Sequence, residues 1–485
     1  MKKHLYLIVT ATLFCQFSLG QTGLVWEDPV VVAGSSFDNT RPRIALLGND
    51  VPVVLWGKMS TDVNYVSQWD GAAFGAPVKI TQVGTDAFVS TWAGSEIATS
   101  GDTVFVVYKE DQAASGSIYT RRSLDGGATW NDTVKVDVIN SLMSRFPSIT
   151  TGVGGTPIVA FMEFDQGWAD PRYVVSNSND GGQSYLDPVQ ASDVFAPGEV
   201  CDCCPAEIFQ GNGKQILFFR NNDNDHRDMW AISSGNGGAI FDQGNDMEFG
   251  TTMLSVCLSS GPTGIVSGDS IYYTWMSPVN GNARIEVGSA TLNDLTPITN
   301  APIDASVPSS SAQNFPRIAG MNDTLAIVWE QTISGSSECV VRWSVNGVQG
   351  LSAKDTVNLD LSGGQTNPDI AYSNGYFHFV WQNNSTNEVI YRRAQLAELT
   401  SIPEDYMNNK VEVHIGRSGG QLIISSTAPI RELSVFDVQG KSVGTLVGNG
   451  SSSLEWPVPA NGTYLFNVLL EDGRSSTVKW SGAGQ

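Results

Sequence analysis

One unit recurs seven times along this chain, and that recurrence limits what it can fold into more than any other feature. Each copy opens on Pro-x-Ile or a near variant: Pro42-Arg43-Ile44, Ser95-Glu96-Ile97, Pro147-Ser148-Ile149, Pro205 to Ile208, Pro262 to Ile265, Pro316-Arg317-Ile318 and Pro368-Asp369-Ile370. The openings lie 52 to 58 residues apart. Thirteen or fourteen positions after each opening stands an aromatic that ends a second strand: Trp56, Tyr108, Phe161, Phe219, Trp275, Trp329 and Trp381. A third strand then runs into a Gly/Asp/Asn turn and a fourth follows. Four short strands per unit is the blade of a propeller. The spacing therefore predicts an all-β chain whose residues 22–400 form a seven-bladed β-propeller.

The seventh unit lacks a fourth strand of its own, because after Tyr391-Arg392-Arg393 the chain turns Ala/Leu/Glu-rich. The segment Leu24 to Val32 parallels Phe74 to Ile80 of the first unit. An N-terminal strand is thus expected to close the last blade, which removes both free edges of the ring.

Residues 1–20 read as a signal peptide. Lys2, Lys3 and His4 are followed by an apolar run from Leu5 to Phe17, and Ser18-Leu19-Gly20 supplies a small-x-small site before Gln21. Phe14 beside Cys15 is too large for a lipid-attachment signal. No later stretch reaches the ~20 apolar residues that spanning a bilayer requires. The chain carries 27 Lys and Arg against 49 Asp and Glu, a net charge of −22. Such a surface repels nucleic acid and anionic lipid. The expectation is a secreted or outer-surface protein with no nucleic-acid partner, no membrane span and no cofactor.

Two turns stand out: Ser123-Leu-Asp125-Gly-Gly127-Ala-Thr129-Trp130 and Ser178-Asn-Asp180-Gly-Gly182-Gln-Ser184-Tyr185. Ser234 to Phe241 is a weaker copy and Ser67 to Phe74 weaker still. These resemble the Asp-box, S-x-D-x-G-x-T-W, of sialidase-like and BNR-repeat propellers. Their chemistry is structural: the carboxylate accepts turn N–H groups and the glycines permit positive φ.

Residues 401–410, beginning Ser401-Ile-Pro-Glu-Asp, read as a linker, and 411–485 as a small Ig-like β-sandwich. Short alternating strands are expected at Val411 to Ile415, Gln421 to Ser425, Glu432 to Asp437 and Thr463 to Leu470. The runs Leu433 to Val443 and Gly462 to Val468, then Gly473 and Lys479, resemble the type A sorting domain of the type IX secretion system of Bacteroidetes. The resemblance covers about residues 411–480 and implies the secretion machinery as a partner. The tail Ser481-Gly-Ala-Gly-Gln485 departs from the basic and apolar ending usual there, and a generic accessory sandwich is the alternative.

Strand order puts the Asp-boxes on one face and the loops after second and fourth strands on the other. The unusual residues fall on that other face, in repeats three to five. Candidate ligand contacts are Glu163, Asp165, Trp168 and Arg172 in one loop, and Arg220, Asp223, His226 and Arg227 in the next. Cys201, Cys203, Cys204 and Cys257 join them, with Cys339 elsewhere. In an oxidising compartment they read as disulfides, Cys257 to Cys201 or Cys203, or a vicinal Cys203-Cys204 ring. A soft-metal or redox site with His226 is the alternative, although C-x-C-C is not a usual zinc spacing.

Two functions suit these residues. One is a binding propeller for a glycan or surface protein, with Trp168, Arg172 and Arg227 as sugar contacts. The other is an exo-acting glycoside hydrolase resembling sialidases, whose arginines clamp a substrate carboxylate. Arg43-Ile44 and Arg317-Ile318 match the R-I of the sialidase F/Y-R-I-P motif, with different flanks. Sialidases have six blades, and no Tyr/Glu nucleophile pair is evident here.

Overall fold

The computed structural model describes residues 21–399 and 413–482, apart from 36–37, 83, 112–115, 138–141, 193–194, 251–252, 280, 419, 438–440, 458–461 and 472–474. The expected signal peptide at 1–20 and the expected linker at 401–410 lie outside the described residues. The chain divides into two compact units, one over Leu24–Ala397 and one that includes Glu398–Gln485. Among the described residues no helix is long and apolar enough to cross a membrane.

The first unit consists of antiparallel sheets, one per repeat. The first repeat pairs Asn39–Leu46, Pro52–Lys58, Val63–Gln68 and Val78–Lys79 in chain order, and the other repeats follow the same plan. Each opening motif lies within or at the start of an innermost strand: Glu96–Ser100, Met143–Thr151, Glu207–Gly211, Thr263–Ser267, Gln313–Met321 and Gln365–Ser373 in repeats two to seven. Every innermost strand packs on the next, and Gln365–Ser373 packs back on Asn39–Leu46. The sheets therefore follow one another around a ring, and no single sheet closes on itself.

The spaced aromatics explain why the sheets stack. Trp56, Tyr108, Phe161, Phe219, Trp275, Trp329 and Trp381 are all buried. Each contacting pair of sheets shares its own apolar core; sheets one and two, for example, join Leu55 and Val66 to Val104 and Val106, and sheets seven and one join Trp56 to Val380 and Tyr391. Fully burying one such side chain stabilises by roughly 1.5–3 kcal/mol, so the ring is held by many small wedges rather than one centre.

The last sheet is completed as expected from the sequence. Gln21–Trp26 and Val30–Ala33 both pair with Glu388–Leu399, the third strand of repeat seven. Val30 lies opposite Tyr391 and Val31 opposite Ile390. The Arg392 guanidinium sits 4.4 Å over the Trp26 ring. The Ala/Leu/Glu-rich stretch after Arg393 continues that third strand as far as Leu399.

Three turns use one hydrogen-bond set. The Gly127 amide donates to Ser123 Oγ (2.8 Å), while the Thr129 amide and hydroxyl donate to the Asp125 carboxylate (2.8 and 2.6 Å). Ser178, Asp180, Gly182 and Ser184 repeat this arrangement, and Asn236 takes the carboxylate's place beside Ser234 and Gly238. Thr129 holds the Asp125 carboxyl down at about 2. Gly182 has φ +83°, and a Cβ there would stand 3.0 Å from the Phe105 ring. Trp130 caps the second repeat's turn by donating from Nε1 to Gly127 O (2.9 Å), whereas Tyr185 packs beside the core of sheets two and three. The Ser67 to Phe74 segment differs, with the Asp70 carboxylate accepting from Ala72 and Ala73.

In the second unit, Val413–Ser418, Gln421–Ser426 and Ser453–Pro457 form one sheet, and Ser442–Val447, Ile430–Asp437, Gly462–Leu470 and Ser475–Gly482 form another. Leu422 and Ile424 of the first sheet share one buried core with Leu433, Val435, Phe466 and Val468 of the second. Three of these strands, at 442–447, 453–457 and 475–482, were not among the expected ones.

Candidate functional site

The openings do something their sequence does not announce. In repeats one, three, six and seven the ladder slips just at the proline, between Thr40 and Arg43, Arg145 and Ser148, Asn314 and Arg317, and Thr366 and Asp369. The residue before each proline is left-handed: Arg41 at φ +49°, Phe146 at +51°, Phe315 at +48° and Asn367 at +53°. Proline disfavours helical backbone in the residue before it, and L-residues reach positive φ at a cost of about 1–2 kcal/mol. A bulge re-aims side chains, and here it delivers them to the axis. Arg41, Arg43, Phe146, Phe315, Arg317 and Asn367 all line one axial cavity, to which every one of the seven repeats contributes.

That cavity is nearly full. Glu96 takes Arg41 Nη2 at 2.5 Å, Arg43 Nε at 3.0 Å and Arg317 Nη2 at 3.2 Å. Arg317 also reaches Glu207 and Asp369, each at 3.7 Å, and the second oxygen of Asp369 accepts the Ile44 amide at 2.9 Å. Burial alone would raise Glu96, but Arg43, Arg41 and Arg317 hold its carboxyl well below the usual range. Glu207 is pushed up to about 7 by its burial, against Arg317 and a hydrogen bond with Thr263. The open space is about 40 Å³, room for water and not for a sugar. Three arginines are thus arranged as a carboxylate clamp, and the protein's own Glu96 fills it.

Sequence reasoning singled out Arg43 and Arg317 but missed Arg41, Glu96, Glu207 and Asp369. A signal was present. The residue just before the isoleucine of each opening reads Arg43, Glu96, Ser148, Glu207, Gly264, Arg317 and Asp369, so five of seven copies are charged at one repeat position. A position that recurs around a ring and carries both signs is a ring of ion pairs.

Beside the axis, between sheets two and three, lies an open cleft of about 210 Å³ lined by Phe88, Lys109, Asp111, Arg145, Phe146 and Trp168. It shares Ala93, Gly94, Phe146 and Pro147 with the axial cavity. The Arg145 guanidinium lies 4.6 Å from the Phe146 ring and 5.1 Å from the Trp168 ring. Trp168 is 39% exposed, sits at φ +65° and packs edge-on against Phe164 at 5.1 Å. Burial lowers the Lys109 ammonium to about 8. Near the cleft, burial raises two carboxyls, Asp137 to about 6 and Glu163 upward despite Arg172. Among the described residues, the buried Asp137 Oδ1 and Glu163 Oε1 find no hydrogen-bond partner.

The other sequence candidates are distributed differently. Arg172 is held by the carboxylates of its own hairpin, Glu163 (3.7 Å), Asp165 (3.1 Å) and Asp170 (3.0 Å). Arg220 is fully buried, donating to Arg227 O and Met276 O, which leaves it no face for a ligand. Asp223 and His226 bond to each other through their backbones, and Arg227 turns inward to Cys201. Of the eight, only Trp168 lines the cleft.

The four cysteines do converge. Cys203 and Cys257 form a disulfide, while Cys201 and Cys204 are buried thiols. The three sulfurs of Cys201, Cys203 and Cys204 lie within 4.8 Å of one another. With Cys203 bonded, two thiols remain, short of the four ligands of a structural zinc site. Cys339 is a buried thiol in Ser336–Ser344, and His378 is buried in its strand with Nδ1 2.8 Å from the Tyr391 hydroxyl.

No protein-family model matches this chain, and no curated protein matches it. Solved structures do. A PL25 polysaccharide lyase, an ulvan lyase bound to a glucuronate–rhamnose-3-sulfate ligand, aligns with a TM-score of 0.50 at 9% identity over 77% of this chain and 96% of that one. An α-L-arabinofuranosidase from Fusarium graminearum aligns at 0.44 and 8% identity, over 78% and 99% of the two chains. The Trypanosoma rangeli sialidase with the inhibitor DANA aligns at 0.42 and 10%, over 94% and 89%. At such identities the likeness to the lyase is one of fold alone, and it agrees with an all-β chain whose sheets follow one another around a ring.

Proposed function

We propose that this chain is a seven-bladed propeller whose sheets are the blades, and that it binds an anionic saccharide in the cleft between sheets two and three. The observation that supports this reading is the convergence of two cations, Lys109 and Arg145, with the rings of Phe88, Phe146 and Trp168 on one open cleft. Aromatic faces stack on sugar rings, and a guanidinium pairs bidentately with carboxylate or sulfate. In a chain of net charge −22, a cleft with two cations against the single carboxylate of Asp111 favours an anionic ligand. This reading moves the site from repeats three to five toward repeats two and three. The ulvan lyase ligand, glucuronate and sulfated rhamnose, supplies the chemical class to try first.

Calorimetric titration of the propeller with uronate-containing and sulfated oligosaccharides, against neutral ones of equal length, tests this reading. Binding confined to the anionic set and lost in Arg145→Ala supports it; equal binding of neutral sugars, or an unaffected Arg145→Ala, overturns it.

A second reading, an exo-acting glycoside hydrolase, is favoured by the raised carboxyls of Asp137 and Glu163, which suit proton donation near neutral pH. Release of reducing sugar from the same oligosaccharides, abolished in Asp137→Asn or Glu163→Gln, distinguishes it from binding alone. A self-filled arginine clamp argues against a sialic acid carboxylate at the axis. The N-terminal segment is read as an export signal, and 411–485 as an Ig-like sandwich that addresses the chain to type IX secretion. A reporter fused to 405–485 that stays periplasmic would sink that assignment.

A further inference from the structure

The Cys203–Cys257 bond ties the loop between sheets four and five to the loop that leads into Glu207–Gly211. Two further sulfurs stand against it. Cys201 Sγ is 3.6 Å from Cys203 Sγ and 2.7 Å from Cys204 Sγ. Arg227 Nη1 donates to Cys201 Sγ at 3.3 Å and reaches Cys203 Sγ at 4.0 Å. The guanidinium therefore faces both the sulfur that would attack and the sulfur that would be attacked. Cys201 and Cys204 are buried, whereas Cys257 is exposed.

The backbone holds this arrangement. The Cys204 amide donates to Cys201 O (3.1 Å), the Cys201 amide to Arg220 O (2.8 Å), and the Tyr173 hydroxyl to Cys204 O (2.9 Å). A disulfide kept only for stability needs neither two thiols in contact with it nor a cation beside them.

We propose that Cys201, Cys203, Cys204 and Cys257 form a thiol–disulfide exchange site that converts the Cys203–Cys257 bond into a Cys201–Cys204 bond. The Cys201 thiolate attacks Cys203 Sγ; the S–S bond to Cys257 breaks and its electron pair leaves on the Cys257 sulfur, which takes a proton from water. The Cys204 thiolate then attacks Cys201 Sγ and releases Cys203 as a thiol. One disulfide and two thiols exist before and after, so no outside oxidant or reductant is consumed. The exchange carries reactivity from a buried pair to the exposed Cys257 and unties the segment around it, where Met253 and Val256 face solvent.

The charge environment favours the attacking thiolate. Cys201 is lowered to about 7, by the hydrogen bond from Cys204 and, against its burial, by Arg227 and Arg220. The hydrogen bond with Cys201, and after it burial, push Cys204 up, so it stays protonated until Cys201 has reacted. The other titratable groups against the pair are Tyr173, from sheet three, and Asp225, 3.7 Å from Arg227.

The test is iodoacetamide alkylation of the native full chain followed by peptide mapping without reduction. Expected is a time-dependent species with Cys203 and Cys257 alkylated and Cys201 bonded to Cys204. Cys201→Ser should cut Cys257 labelling by at least about tenfold, and Cys204→Ala should stop at a Cys201–Cys203 bond. Arg227→Gln keeps every cysteine and should slow labelling several-fold at pH 7 while moving its pH midpoint upward. Cys257 labelling that is unchanged in Cys201→Ser or Arg227→Gln overturns the proposal. So does purified chain with both bonds closed and no thiol except Cys339.

Discussion

Two charged regions lie side by side on one face of this ring, and they differ in who supplies the counter-charge. At the axis, three arginines converge on Glu96, and the space left over holds little more than water. In the neighbouring cleft, Lys109 and Arg145 stand with Asp111 among aromatic rings around a larger open space, and Lys109 Nζ also donates to Glu110 O. Both have the chemistry to grip an anion, but only the cleft has a vacancy for one. Arginines clustered in a propeller are therefore not by themselves a substrate clamp. The test is whether a carboxylate of the chain already occupies them.

The largest effect is expected from emptying the axis. Glu96→Ala leaves three buried guanidiniums around a hole and should destabilise the first unit by about 3–5 kcal/mol in urea unfolding. Added acetate should restore part of that loss by filling the clamp from outside. A variant with unchanged stability would erase the distinction between the two regions.

Next comes a buried carboxylate without such cations. Glu330 accepts only the Asn367 amide at 3.2 Å among the described residues, and burial raises it to about 7. Its folded form holds a proton more tightly than its unfolded form, so its contribution to stability falls as pH rises from about 4.5 to about 7. Glu330→Gln should match the parent near pH 4.5 and exceed it by roughly 2 kcal/mol at pH 8, read by urea unfolding at both. Equal curves at both would show that burial there is relieved by something other than a proton.

In the cleft, Trp168→Ala should weaken anionic oligosaccharide binding roughly tenfold, about 1.4 kcal/mol, with little change in melting temperature. Loss of stability without loss of binding would make Trp168 part of the scaffold. The smallest effect is the titration of Lys109. Its charge is lost as pH rises through about 8, so affinity for an anion should fall a few-fold between pH 7 and 9 in calorimetry, and Lys109→Met should flatten that dependence.

How much of this was legible beforehand follows from what each feature needs. The sheets were, because a buried aromatic every repeat is a volume requirement that sequence records directly: Trp56 and Trp381 stand where stacking needs them. The last sheet's completion was too, since Val30 and Val31 carry an alternation that wants a partner. The ion-pair ring was not, because Glu96 and Glu207 look ordinary until the bulges at Pro42 and Pro316 bring Arg41, Arg43 and Arg317 to them, and a bulge is a backbone event. Arg220 illustrates the opposite failure. An arginine in a polar loop reads as exposed, yet its guanidinium satisfies two carbonyls deep between sheets four and five. Cysteine pairing was half visible: proximity could be inferred from repeat geometry, but the choice of Cys203 over Cys201 depends on a turn.

The strand at Val30–Ala33 fastens to the strand at Glu388–Leu399, and the Arg392 side chain donates to Glu27 O across 365 positions of sequence. As the chain emerges, six sheets can zip from hairpins between neighbours, each a short and rapid closure. The seventh has to wait for both ends of the ring to meet. Until they do, the first segment out is an unpaired, β-prone ribbon with nothing yet made for it to join. That delay is a built-in timer: a late, all-or-nothing latch that keeps the ring open until its final stretch has arrived.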